Sequence, residues 1–283
     1  MTLAERETVV DGTVFRYLMG GDGPPLVMVH GFLGSAENFA GWWDELAEEH
    51  TLVIPDLPGC GRSGILGGPH TSSALAASLV RFCTSLGIAR ADLLGLCLGS
   101  GVALEMTRSS DLVVGQLVLH TPLLAPDLVH KKFHLQARVM TAPVVFPLIR
   151  WAGHQRWVSD LYKRLVVEGD NVDQQVALVN FENQMAAYPR AVREWVRDGL
   201  ALDQRALLAA RDTPTLVLLG QDDAICNVPR LARELSAMPM VQLDVYAGSG
   251  HGWTAEYVAH QASVIKAFLH GADEPAFSTG GSR

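Results

Sequence analysis

Six short apolar runs, each of strand length, recur along this 283-residue chain and constrain its fold more than any other feature. They are LVMV (26–29), TLVI (51–54), DLLGL (92–96), QLVLH (116–120), TLVLL (215–219) and VQLDVY (241–246). A run that is apolar at successive positions suits a parallel strand buried on both faces, because a half-exposed strand would alternate. Amphipathic stretches near Glu37–His50, Ser72–Leu86, Gly99–Ser109, Pro229–Ala237 and Ala255–Leu269 lie between the runs. Such alternation predicts an α/β fold with a doubly wound, mostly parallel sheet. Ahead of the first run, ETVVDGTVFRYL reads as a hairpin turning at Asp11-Gly12, which would add an antiparallel edge.

The alternation lapses between Pro122 and about Ala210, where helical segments such as AVREWVRDGLALDQRALLAA take over. This predicts a core of residues 1–121 and 212–271, a helical cap inserted over 122–211, and a disordered tail over 272–283, whose composition is small and polar. The net charge of −8 argues against a nucleic-acid partner, since phosphate binding needs basic surface. Charge is unevenly spread. Residues 127–211 hold twelve Lys and Arg against nine Asp and Glu, a local +3 that leaves −11 on the rest. Solvated helix faces explain that distribution, and so would a basic cover that steers an anionic substrate.

The longest apolar stretch, Val139 to Leu148, contains two prolines and falls short of the ~20 residues a spanning helix needs, so no membrane insertion is expected. The opening MTLAERETVV has neither a basic start nor an apolar signal core, which makes the cytoplasm the expected compartment. Cys60, Cys83, Cys97 and Cys226 show no metal-like spacing and are read as reduced thiols. His130 and His134 stand at i, i+4, but without a third ligand nearby they imply no metal, and no cofactor motif is present.

The chemistry is concentrated at DLLGLCLGSGVALEM, where an apolar run ends in Gly95-Leu96-Cys97-Leu98-Gly99 and a helix begins. A tight strand–turn–helix forces the central residue into a strained conformation, and its neighbours two positions away must be small so that strand and helix can pass closely. The same turn sets the Cys97 sulfur at a helix N-terminus, where partial positive charge favours a thiolate. Ser100 is a rival nucleophile, though its place in the first helical turn suits packing or capping better. Downstream, TLVLLGQDDAI ends a strand run with Asp222-Asp223, and VQLDVYAGSGHGW ends the next with His251 in a glycine-rich loop. Both loops fall at the C-terminal edge expected of sites on open α/β sheets.

With HGFLGS (30–35), DLPGCGRS (56–63) and GSGHGW (248–253), the chain resembles a capped α/β-hydrolase over nearly its whole length. The resemblance implies a nucleophile, acid and histidine in that chain order. It places the acid three residues past Gly220, at Asp223, with Asp222 as the alternative, and the oxyanion donors at the backbone amides of Phe32 and Leu98. Asp56 and Arg62 are expected to organise the loop beside the site. His30, His120, Trp151, Trp157 and Trp253 are candidate substrate contacts, and Trp195 is a further aromatic residue of the cap.

Most relatives carry serine where Cys97 stands. The Gly-x-Cys-x-Gly pattern is similar to that of dienelactone hydrolases and polyhydroxyalkanoate synthases, whereas HGFLGS and DLPG resemble the cofactor-free lyase of menaquinone synthesis. A Cys97–His251–Asp223 triad implies acyl transfer on a small-molecule or carrier-bound acyl substrate, to water or to another acceptor. Alternatives are a lyase or C–C hydrolase in which His251 and Asp223 abstract a proton, and a non-catalytic ligand receptor on the same fold.

Overall fold

The computed structural model describes residues 3–155, 157–158, 181–251 and 255–271. The expected tail and Trp253 therefore lie outside the described residues. Eight strands form one sheet: β1 (Ala4–Val10), β2 (Thr13–Gly20), β3 (Pro25–Val29), β4 (Thr51–Pro55), β5 (Arg90–Leu96), β6 (Val113–His120), β7 (Thr215–Gly220) and β8 (Val241–Tyr246). Their spatial order is β1-β2-β4-β3-β5-β6-β7-β8. β1 and β2 are antiparallel, β2 pairs antiparallel with β4, and every later pairing is parallel. Asp11 and Gly12 both take positive φ, 48° and 77°, as a two-residue hairpin turn of this handedness requires.

The apolar runs serve two cores at once, because successive side chains of a strand point to opposite faces. Val27, Val29, Leu93, Leu117, Leu119, Val217 and Leu219 pack on one face with the helices Ser72–Ser85, Leu98–Met106 and Val228–Leu235. Leu26, Met28, Leu94, Leu96, Val118, Leu216 and Leu218 pack on the other with Trp42 and the helix Ala255–His270. Helices thus cover both faces of a doubly wound sheet. The stretch expected to be amphipathic helix over 37–50 forms only a 3-10 turn, Ala36–Phe39, and a short helix, Trp43–Leu46. Gly41 lies between them, packed so closely on the Ala255–His270 helix that a β-carbon there would run into Val258.

Between β6 and β7 the named elements are all helical, the longer ones being Lys131–Met140, Val145–Gly153 and Pro189–Gly199. None of the described helices is long and apolar enough to cross a membrane. This topology sets the site. Val29 pairs with Gly95, Leu96 with His120, and Gly220 with Tyr246, so the loops after β3, β5, β6, β7 and β8 leave the sheet along one edge.

Candidate active site

Cys97 occupies the turn between β5 and the helix Leu98–Met106 with φ 50° and ψ −118°. For a non-glycine residue this conformation costs about 1–3 kcal/mol, which the surrounding packing must offset. The glycines on either side are required by contact. A β-carbon on Gly95 would lie 2.6 Å from the Ser100 Cα, and one on Gly99 would collide with the carbonyl oxygens of Val29 and His30. The Cys97 amide donates to the His120 carbonyl at 2.9 Å, which pins the turn to the neighbouring strand. Ser100 is turned away from any nucleophilic role, since its buried hydroxyl donates to the Gly95 carbonyl at 2.7 Å.

The loop after β8 brings His251 to the same edge, where its Nδ1 lies 2.7 Å from Asp223 Oδ2. The other oxygen, Oδ1, accepts from the backbone amides of Ile225 (2.6 Å) and Cys226 (3.0 Å). Burial alone would raise the Asp223 carboxyl, but the His251 hydrogen bond and charge and those two amides outweigh it and hold it below the usual carboxylate range. Asp222 is exposed, and its amide is tied to the Ser249 carbonyl. The histidine partner is therefore Asp223. Burial pushes the His251 imidazole down, yet the Cys97 sulfur and Asp223 together overcome that and raise it to about 10. Asp223→Asn should accordingly lower kcat by about 10²–10⁴-fold, and Asp222→Asn should leave it within about twofold, in steady-state assays at neutral pH.

A cavity of about 210 Å³ opens between these groups, lined by Gly31, Phe32, Asn38, Leu96, Cys97, His120, Thr121, Phe133, Ile225 and His251. Phe32 lies in the loop after β3. Leu98 is the first residue of its helix, where the backbone N–H has no intrahelical acceptor. Three of the non-glycine residues with positive φ, Leu33, Cys97 and Thr121, cluster here, so strain is concentrated around the cavity.

His120 lines the cavity from the end of β6. Burial drives its imidazole down to about 3, with the charge of His251 adding to the effect, so it is a neutral wall. His30, by contrast, does not line it. Its Nδ1 donates to the Gly31 carbonyl and its Nε2 accepts from the Leu57 amide, each at 2.9 Å, and burial holds its imidazole down near 4. His30 is thus a bracket that joins the loops after β3 and β4, away from the cavity wall where a substrate contact was expected. Trp151 and Trp157 are about two-thirds exposed and neither lines the cavity. Trp195 is buried with its ring edge-on to His30, centroids 6.3 Å apart.

Asn38, Thr121, Phe133 and Ile225 line the cavity without having been singled out from the sequence. Only Thr121, next to a strand-ending histidine, carried a positional signal. Beneath the Phe32 loop lies a second cluster that the sequence did not announce. Arg16 of β2 is fully buried and donates to Glu37 and Glu5, each at 2.6 Å, and to Asp56 at 3.5 Å. Asp56 also accepts from the amides of Ala36 and Arg62 at 2.8 Å, so the expected organising role of Asp56 and Arg62 takes this form.

The family model described as the alpha/beta hydrolase fold matches residues 24–252. The chain belongs to the α/β-hydrolase family. This α/β-hydrolase is 25% identical to the 2-hydroxymuconate semialdehyde hydrolase of Pseudomonas sp. (strain CF600), with 96% of each chain covered. A thermophilic esterase from Thermogutta terrifontis has a TM-score of 0.72 at 24% identity, covering 97% of this chain and all of the esterase. The N-acyl homoserine lactonase AidH has a TM-score of 0.76 at 19% identity, covering 100% of this chain and 99% of the lactonase. These structural likenesses establish the fold of the α/β-hydrolase.

Proposed function

We propose that this α/β-hydrolase is an acyl-transfer enzyme with a cysteine nucleophile, acting on an ester, thioester or lactone. The observation that carries the reading is the His251 imidazole, bonded to Asp223 and raised to about 10 with the Cys97 sulfur among its causes, at the mouth of a cavity that Cys97 and Phe32 line. An imidazole so placed supports a thiolate–imidazolium pair.

In the first half-reaction the Cys97 Sγ attacks the carbonyl carbon and the carbonyl π electrons move to oxygen. The amides of Phe32 and Leu98 stabilise that oxyanion. Collapse breaks the bond to the leaving oxygen or sulfur, which takes the His251 proton, and an acyl-thioester remains on Cys97. In the second half an acceptor gives its proton to His251 and attacks the same carbon, and the departing sulfur restores the ion pair. Asp223 holds the imidazole with Nε2 toward the reacting atoms and stabilises its charge. The acceptor is water or a better nucleophile, since thioesters resist water more than they resist amines or thiols.

Intact-protein mass spectrometry after brief exposure to p-nitrophenyl acetate should show one added acetyl group, mapped to Cys97 and absent from Cys97→Ala. Full turnover by Cys97→Ala would overturn the reading. The 2-hydroxymuconate semialdehyde hydrolase at 25% identity favours a second reading, C–C bond hydrolysis, in which His251 and Asp223 move protons and the sulfur assists.

A further inference from the structure

Outside the cavity around Cys97 lies a much larger cleft, about 980 Å³, between the helices Lys131–Met140 and Pro189–Gly199. Arg138 reaches it from the first helix, and Arg193 and Arg197 reach it from the second. Some arginines of this surface are paired, Arg190 with Glu194 at 2.8 Å and Arg205 with Asp203 at 2.5 Å, while Arg6, Arg90 and Arg233 stand singly among the described residues and apart from any such cleft. The side chains of Arg138, Arg193 and Arg197 form no hydrogen bond or ion pair among the described residues. Glu194, the acid on the cleft wall, is already held by Arg190 and by the His70 amide at 3.0 Å. Arg193 and Arg197 stand at i, i+4, where like charges repel and weaken a helix. Three guanidinium groups gathered around one concavity make a local positive field that an anionic ligand would neutralise.

The cleft lies across one helix from the Cys97 cavity. Val196 and Leu200 on its wall belong to the same apolar cluster as Cys97 and Leu98, and Gly199 packs against the Leu98 side chain. Phe133, next to His134 on the cleft wall, lines the Cys97 cavity, so one helix separates the two spaces. At about 210 Å³ the inner cavity is below the ~300–1,000 Å³ typical of small-molecule sites and suits a short acyl group, whereas the outer cleft reaches the top of that range.

We propose that the Arg138–Arg193–Arg197 cleft binds the phosphate-bearing end of a large acyl donor whose acyl group enters the Cys97 cavity. Guanidinium groups offer planar, paired N–H donors that match phosphate oxygens bidentately. The acyl-donor part rests on the acyl-transfer reading above; the binding of phosphate does not.

Isothermal titration of the full chain with inorganic pyrophosphate tests it, with glutarate as a dicarboxylate comparison. Pyrophosphate should bind more tightly than glutarate and more weakly as salt is raised. Arg193→Gln/Arg197→Gln should weaken it at least tenfold, Arg138→Gln alone should weaken it measurably, and Arg230→Gln should leave it unchanged. Absence of millimolar binding, a preference for glutarate, or equal affinity in the wild type and the Arg193/Arg197 variant would each overturn the proposal. Pyrophosphate binding that depends on these arginines, with no acetyl group ever trapped on Cys97, would uphold the cleft and sink the acyl-transfer reading instead.

Discussion

Cys97→Ala and His251→Ala should each lower kcat by about 10⁶-fold, and the double variant should fall no further, because a nucleophile and the base that serves it act as one unit. Equality of the two single losses is the informative result. In the C–C hydrolysis reading His251 carries the proton transfers alone, so its loss would be crippling while Cys97→Ala kept most of its turnover. Chromogenic ester and thioester assays on the folded variants decide between the two. The thiols supply a parallel measurement. Burial pushes the Cys60 and Cys83 thiols up to about 12, and burial together with the charge of Asp223 pushes Cys226 up as well. Cys97 is the cysteine that lines the cavity shared with His251. Iodoacetamide at neutral pH should therefore modify one site, Cys97, and His251→Ala should slow that labelling sharply. The pH profile follows from the same pair. His251 keeps its proton until about pH 10, so the alkaline limb of acylation should lie near that value. Asp223→Asn removes two influences that raise the imidazole and should move the limb to lower pH.

The sheet was legible because its strands are buried on both faces: Val27 and Met28 serve opposite cores, so the run LVMV has no polar break to disguise it. The turn at Cys97 was legible for a related reason. Strand and helix pass so closely there that glycine is demanded at both Gly95 and Gly99, and this leaves a pattern of fixed spacing. Side-chain direction leaves no such trace. Asp222 and Asp223 are adjacent and chemically identical, and only the folded loop turns the second inward to His251. His30 sits beside the catalytic loop in sequence, yet both its ring nitrogens are consumed by backbone. Trp151 and Trp157 lie on or beside amphipathic helix, where composition cannot say which face meets the pocket. Arg16 was hidden most completely. Its partners Glu5, Glu37 and Asp56 belong to separate elements, and the motif FRYL around it suggests an ordinary edge-strand cation.

Arg16→Met should destabilise the fold by about 3–5 kcal/mol, the usual cost of removing one member of a buried ionic cluster and leaving its partners unpaired. For a chain of this size each kcal/mol lowers Tm by roughly 2–4 °C, so thermal unfolding should shift by about 6–20 °C. Methionine nearly fills the volume, and the loss would come from stranded carboxylates more than from a cavity. In the wild type, burial raises Asp56 to about 6 despite the guanidinium, and burial would likewise raise Glu37 but for the hydrogen bond and charge of Arg16, which hold it below its usual value. Without Arg16 both carboxyls rise further in the folded state. A carboxyl raised on folding binds its proton more tightly in the native chain, so the penalty is absent below its unfolded value and complete above its folded one. The difference in Tm between wild type and variant should thus be clearly smaller at pH 5 than at pH 8. Arg62→Met is the matching control, because its ion pair with Glu5 is about half exposed and contributes no more than about 1 kcal/mol. Activity should fall with stability in Arg16→Met alone. Glu37 also accepts from Asn183, at 2.9 Å, and Asn183 reaches the Ser35 hydroxyl at 3.1 Å, so the cluster ties the Phe32 loop to the helical layer above it. If the two variants melted together, or if the Arg16 deficit were the same at both pH values, the cluster would not be what fixes that loop.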